Sequence, residues 1–318
     1  MRRSRPTDLL LLACACVAAC LMGPRAFAAG LFVSSHDSHR VYLLDSDTGA
    51  VLRTYEDPLL VSPTGLALSP DRATLYVGNN NSATDVLLFD VATGARTGSF
   101  SSSRVSFAQG LALDNAGQRL YVGSDLIESF STDTGAPGAG IDVSTPGDFQ
   151  LTRDGSAVYA ATSRDRVVRA LTDSGGTDRT YTFPSGSGPT GVALSPDESL
   201  LYVAFYFGTP TSRNMIAVVD TASGSTVGTF NIPGPLGNLV DVDVTPDGST
   251  LFVSDTFNNA LYRVDAATGA VSPLLTSAPL DGPGYLLYAE VPEPTVALAG
   301  AALSAAVLAL RRRGPTLR

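Results

Sequence analysis

A unit of about forty residues recurs along the chain, and recurrence at that length constrains the fold more than any single motif does. The unit "PTGLALSPDRATLYVGNNNSATDVLLFDVATGARTGSF", residues 63–100, returns at 189–230 as "PTGVALSPDESLLYVAFYFGTPTSRNMIAVVDTASGSTVGTF" and at 239–275 as "LVDVDVTPDGSTLFVSDTFNNALYRVDAATGAVSPLL". Weaker copies begin at 109 and 147. Each copy predicts four short strands. An alternating segment such as "GLALS" leads into a turn where Pro70, Pro196 or Pro246 presets φ and the next Asp bonds its own backbone. An aromatic and aliphatic strand ("LYV"), a loop, a third strand ("VLLFD"), a Thr-Gly or Ser-Gly turn and a fourth strand follow. Gly49, Gly94, Gly135, Gly175, Gly224 and Gly269 stand where such a hairpin needs positive φ. Their spacings of 45, 41, 40, 49 and 45 residues are the length of a four-stranded propeller blade.

The second strand occurs six times, at "LFV" 31, "LYV" 75, "LYV" 120, "VYA" 158, "LYV" 201 and "LFV" 251. The first strand occurs within its own blade only five times. The chain after residue 28 opens directly on three strands in "LFVSSHDSHRVYLLDSDTGAVLRTY", and the missing innermost strand is supplied by "GPGYLLYAE" at 282–290. Closing a ring this way removes the exposed sheet edge that an open array would leave. The expected fold is therefore all-β: a six-bladed β-propeller with split-blade (1+3) closure over residues 29–290. The repeat wording resembles the YVTN family of β-propeller repeats and, more loosely, the NHL-type propellers. That resemblance implies architecture; propellers of this kind include adhesins, surface-layer proteins, enzymes and scaffolds.

Both ends read differently from the repeats. "MRRSRPTDLLLLACACVAACLMGPRAFAAG" has a basic start, an apolar run from Leu9 to Met22 and a small-residue "AFA" at 26–28, which predicts a signal peptide over 1–28. All three cysteines, Cys14, Cys16 and Cys20, lie inside it, so the remainder has no thiol for a disulfide, a nucleophile or a soft metal site. "VAAC" at 17–20 is an alternative, lipoprotein-type processing site at Cys20. With the ends set aside, 13 arginines face 28 acids over residues 29–292. Such a surface repels nucleic acid, and no basic stripe offsets it.

Residues 291–318 read "VPEPTVALAGAALSAAVLALRRRGPTLR". Thr295 to Leu310 is uncharged, and a sixteen-residue helix is about 24 Å long against a hydrocarbon core of ~30 Å, enough for a transient stop. Arg311 to Arg313 would keep the extreme C-terminus cytoplasmic. The order Val-Pro-Glu-Pro, apolar helix, arginine cluster resembles the PEP-CTERM sorting signal. The resemblance implies a C-terminal transmembrane helix and an exosortase-like processing enzyme that recognises Pro292, Glu293 and Pro294. It also implies export, anchoring at least transiently in the inner membrane, then residence in the cell envelope or extracellular matrix.

Candidate chemistry is sparse. His36 and His39, the only histidines, flank Asp37 in "SSHDSHRV" as potential metal ligands in a loop between strands. Asp148 and Asp241 replace the glycine of the innermost strand, with Asp243 on the same face as Asp241; carboxylates converging on a channel suit Ca²⁺. No Gly-x-Ser-x-Gly elbow occurs. Asn79, Asn80, Asn258 and Asn259 are material for the single-metal site of a lactonase-like hydrolase, or simply turn residues. The aromatic run Phe205 to Gly208 reads as an exposed contact patch or as an extended second strand. The expectation is a non-enzymatic scaffold that binds protein or polysaccharide; the alternative is a metal-dependent lactonase-like hydrolase.

Overall fold

In a computed structural model of the chain, the alternating segments pair as six antiparallel sheets and the linkers between them become turns. The structure describes residues 27–292 apart from 82–83, 163–165, 173–175, 185–186, 207–213 and 236. The first and last elements share one sheet: β23 (Pro283–Pro292) lies beside β1 (Phe27–Ser35), followed by β2 (Arg40–Asp45) and β3 (Val51–Tyr55). The second blade is β4 (Leu66–Leu68), β5 (Thr74–Asn81), β6 (Thr84–Asp90) and β7 (Arg96–Phe100). The third holds β8 (Leu111–Leu113), β9 (Arg119–Gly123) and β10 (Ile127–Ser131). The fourth runs β11 (Pro146–Leu151), β12 (Ala157–Thr162), β13 (Arg166–Leu171) and β14 (Thr177–Thr182). The fifth runs β15 (Pro189–Leu194), β16 (Leu200–Phe205), β17 (Met215–Asp220) and β18 (Thr226–Asn231). The sixth runs β19 (Leu239–Val244), β20 (Thr250–Asp255), β21 (Ala260–Asp265) and β22 (Val271–Leu275). The six blades and the three-plus-one closure match the sequence expectation.

One compact unit spans Ala29–Ala289. Most of the expected signal peptide, together with Glu293, Pro294 and the apolar stretch after them, lies outside the described residues. Among the described residues no helix is long and apolar enough to cross a membrane.

The third blade departs from the expected four strands. Where its outer strand belongs, the chain runs through "GAPGAGID", contributing only isolated bridges at Phe130↔Pro137 and Ile127↔Ile141. Pro137 brings no N–H and Gly138 and Gly140 have no side chain to pack, so a continuous ladder does not form.

Burial explains the strand compositions. Each blade is covered on both faces by its neighbours, so the second strands read as unbroken apolar runs; β12 is buried at every position. The outer strands lie at the rim and stay polar, as in β14 and β18. The core therefore sits between blades. One cluster joins Ile216 and Val218 of the fifth to Leu251 and Val253 of the sixth, and another joins Val33 and Leu44 of the first to Phe252 of the sixth. Aromatic pairs bridge the first–second, second–third and sixth–first seams: Tyr55–Phe89, Phe100–Phe130 and Phe252–Tyr288, with ring centroids 5.9, 6.1 and 5.7 Å apart. Each such pair contributes on the order of 0.5–1.5 kcal/mol beyond its buried area.

Closure is fixed by hydroxyls of the second strands. Ser34 Oγ accepts the Tyr285 N–H (2.8 Å), Ser35 Oγ donates to Asp281 O (2.8 Å) and accepts the Asp281 N–H (2.9 Å), and Ser254 Oγ donates to Gly284 O (2.6 Å). A chain ending at Asp281 loses β23 and all but the Ser35 bonds. Its thermal midpoint is expected to fall by more than about 10 °C relative to the full chain, or its transition to lose cooperativity; equal midpoints would show that the ring needs no closing strand.

Two glycines separate backbone freedom from space. Gly155 has φ of 70° with nothing within 4 Å of an added Cβ, whereas a Cβ on Gly191 would lie 2.4 Å from Asp241 Cα. Gly155→Ala is expected to cost about 1–2 kcal/mol, from φ alone. Gly191→Ala must push neighbouring blades apart and is expected to cost clearly more; denaturant unfolding of both variants decides it.

Candidate functional site at the propeller axis

The six inner strands meet at the axis, and equivalent positions on them carry Gly65, Gly110, Asp148, Gly191, Asp241 and Tyr285. Three glycines are there because backbones touch: Gly65 N–H donates to Gln109 O (2.8 Å) and Gly110 N–H to Gly147 O (2.7 Å). A Cβ on Gly65 would lie 2.3 Å from Gln109 O. Inner strands are sheet edges, and their axis-facing N–H groups need acceptors. The two aspartates supply them to the next blade.

Asp148 Oδ2 accepts the Val192 N–H (3.0 Å), and two residues on, Gln150 Oε1 accepts that of Leu194. The sixth blade repeats the device on the closing strand: Asp241 Oδ2 takes the Leu286 N–H (2.8 Å) and Asp243 Oδ2 that of Tyr288 (2.6 Å). The other oxygens of Asp241 and Asp243 accept the N–H groups of Val242 and Val244, both at 2.8 Å. These side chains line one cavity of about 350 Å³, with Tyr285 and Tyr288 on its wall. The Tyr285 hydroxyl donates to Gln109 Oε1 (3.0 Å), tying the closing strand to the third blade across the axis.

The carboxyls are crowded and desolvated. Burial, the leading cause, pushes Asp148 up to about 7 and Asp243 up to about 6, and lifts Asp241 well above the ordinary carboxylate range, with the Asp148 charge adding to it. Burial and the facing carboxyl together disfavour two adjacent charges, so the pair keeps a proton to higher pH than free aspartates do. Burial and the same two acids raise the Tyr285 hydroxyl well above its usual range, which keeps it a donor.

The structure brings together Asp148, Asp241 and Asp243, and leaves the other candidates apart. His36 and His39 lie exposed in the turn between β1 and β2; His36 Nδ1 meets Asp37 Oδ1 at 2.8 Å, while His39 Nδ1 accepts the Ser62 N–H at 2.9 Å. Among the described residues no group of three or more His, Cys, Asp or Glu is disposed to hold a metal ion. Asn79 is buried and braces its own loop through Leu59 O and Thr84 Oγ1, and Asn259 Oδ1 accepts the Gly282 N–H in another blade. Phe205 is not an exposed aromatic: it ends β16, buried against Phe183 at 5.2 Å between ring centroids. Tyr285, Gln109 and Gln150 are axis residues that the sequence reading passed over. Aligning "PGYLLY" with "PTGLAL" sets Tyr285 on the glycine position, and Gln150 stands where other blades have Ala67, Ala112 and Ala193.

Fold and axis together define a six-bladed β-propeller. No family model matches the chain, and no curated protein matches its sequence. Among solved structures, it is similar to a chain of the nidogen–laminin complex (TM-score 0.68, 13% identity, covering 82% of this chain and 98% of that one). It is also similar to Kuenenia stuttgartiensis hydrazine synthase (TM-score 0.59, 19% identity, covering 76% and 77%). At those identities the likeness is one of fold.

The raised carboxyls set a pH dependence whose sign follows from linkage. The folded ring holds protons that the unfolded chain releases near pH 4, so their stabilising effect is complete below about pH 4 and is lost as pH rises through 6 to 7. Asp154 and Asp247, held down to about 2 by turn hydrogen bonds, act oppositely, stabilising above pH 4 and losing that effect on acidification. Stability is expected to peak near pH 4–5 and to fall by on the order of 3 kcal/mol by pH 8. Asp241→Asn removes one titrating carboxyl, leaving a single oxygen for the two N–H groups it accepts, and should flatten that decline; an unchanged slope in urea unfolding from pH 5 to 8 would place its origin elsewhere.

Proposed function

We propose that the chain is an exported β-propeller acting as a protein- or polysaccharide-binding scaffold of the cell envelope or extracellular matrix. In this reading residues 1–28 direct export, and residues 295–310 hold the chain at the inner membrane. An exosortase-like enzyme recognises Pro292, Glu293 and Pro294 and releases it. The observation that carries the scaffold half is how the axial carboxylates are used. The oxygens that a Ca²⁺ ion or a hydrolytic metal centre would require instead accept backbone N–H groups of Val192, Val242, Leu286, Val244 and Tyr288. An axis built as a strut favours a rigid platform over the lactonase-like alternative, whose metal would have to compete with those bonds. The acidic balance of the repeats argues against nucleic acid as the partner.

The sorting half is tested by the intact mass of the protein from its native host, with membrane fractionation, for wild type and Glu293→Ala. The expected wild-type mass begins at Ala29 and ends near Pro294, with the variant uncut in the membrane. A full C-terminus in both makes the tail a plain anchor, and an acylated Cys20 replaces the signal-peptide reading.

A further inference from the structure

The two ends of the ring differ in chemistry. Turns at the end where inner strands finish carry Asp71, Asp154, Asp197 and Asp247. Among the described residues, four of the six exposed large hydrophobic side chains, Leu59, Phe107, Leu126 and Phe257, stand in loops at the other end, where inner strands begin. Beside Phe107 that end opens into a cavity of about 360 Å³, lined among others by Phe107, Gln109, Ser124, Asp125, Pro146 and Pro189. It is separate from the axial cavity, and the two share no lining residue.

The polar groups of this cavity are held in place from behind. The Ser106 and Phe107 N–H groups both donate to Ser124 Oγ (3.1 and 3.4 Å), which fixes the loop and leaves the Ser124 hydroxyl proton to point elsewhere. Gln109 Oε1 accepts the Tyr285 hydroxyl, orienting the amide; among the described residues no acceptor takes its Nε2 hydrogens. Asp125 is exposed, and its backbone oxygen is fixed by the Thr145 N–H (2.9 Å). The ring of Phe107 is 58% exposed, second at this end to Phe257 at 71% and the one that lines the cavity. Phenyl and two prolines thus offer an apolar wall, edged by two hydrogen-bond donors and one carboxylate acceptor.

The geometry points to a subsite for one neutral pyranose ring of a polysaccharide. A pyranose has an apolar C–H face that packs on a phenyl ring, and hydroxyls at its rim that accept from Gln109 Nε2 and Ser124 and donate to Asp125. A preformed, largely apolar pocket with a few fixed polar groups is what a small ring of this kind needs. No arginine lines the cavity and Asp125 does, so an anionic sugar is disfavoured by charge. The assignment rests on the binding-scaffold reading above and names its ligand class.

The test is calorimetric titration of the purified full chain with cellohexaose, maltohexaose, mannohexaose and an oligogalacturonate, for wild type, Phe107→Ala and Asp125→Asn, with thermal midpoints recorded alongside. The assignment expects binding of at least one neutral hexasaccharide and about tenfold weaker binding of the oligogalacturonate. It expects about tenfold loss in Phe107→Ala at an unchanged midpoint, and a smaller loss in Asp125→Asn. Neutral-sugar binding that Phe107→Ala leaves intact overturns the subsite while the scaffold reading survives. Preference for the oligogalacturonate, or no binding of any neutral hexasaccharide, also overturns the subsite; the scaffold reading then stands or falls on protein partners.

Discussion

Six wedge-shaped sheets can share an axis only if their inner strands approach to backbone distance, and every other feature of the ring follows from that crowding. Between the second and third blades the approach is made by glycine, with Gly65 donating directly to Gln109 O. Where an aspartate replaces glycine, its carboxylate takes over the bonding, reaching an N–H two residues further along the neighbouring strand, at Val192 or Leu286. Glycine and aspartate are two solutions to one geometric problem: the first removes the Cβ, the second uses the side chain as a spacer that is also an acceptor. The substitution has an electrostatic cost, because two carboxyls now face one another away from water. Burial and mutual repulsion raise both carboxyls toward the protonated form, which relieves that cost.

That arrangement places the acids at the seams where they matter most. Of the inner strands, β23 reaches its neighbours from the far end of the chain, across a sequence separation of about 250 residues to β1. Such a contact forms late and at the largest loop-closure cost of any in the ring. The sixth blade therefore meets β23 with two carboxylates, Asp241 and Asp243, and with Ser254, while Ser34 and Ser35 hold the closing segment from the first. Tyr285 adds a further tie by reaching Gln109 on the third blade. Cooperative unfolding of the ring is the physical consequence, since no blade can leave without opening the axis.

The repeat wording made the architecture legible because each element of it has a local cause. "SPD" encodes a turn, "LYV" a doubly buried strand and "TG" a positive-φ hairpin, and their count and order require six blades and a split closure. What was not legible belonged to relations between repeats. Asp148 and Asp241 stood out as departures from glycine, but sequence alone suggested ions for them, because an N–H acceptor and a cation ligand are the same residue type seen without its neighbour. Tyr285 was hidden because the closing strand lacks the turn that marks the others. For Phe205 the sequence left an exposed patch and an extended second strand both open, and the structure takes the strand: as the last residue of β16 it faces Phe183. In the third blade, glycines and Pro137 erased a strand that the spacing of the repeat still implied.

A ring stiffened at its axis leaves its loops free to vary, and here the variation is directional. The turns where inner strands finish are constrained by their own hydrogen bonds: Asp71, Asp154, Asp197 and Asp247 each bond a hydroxyl two residues before them, and their carboxylates are spoken for. The same wording recurs there from blade to blade, which is what a structural turn requires. Loops at the other end are less uniform in wording and length, and among the described residues they expose Phe107 and Phe257. Exposed apolar surface that contributes nothing to stability has a solvation cost, and one end of the ring bears most of it. The division of labour follows: one end and the axis hold the ring together, and the other end carries most of the apolar side chains that the described residues leave exposed.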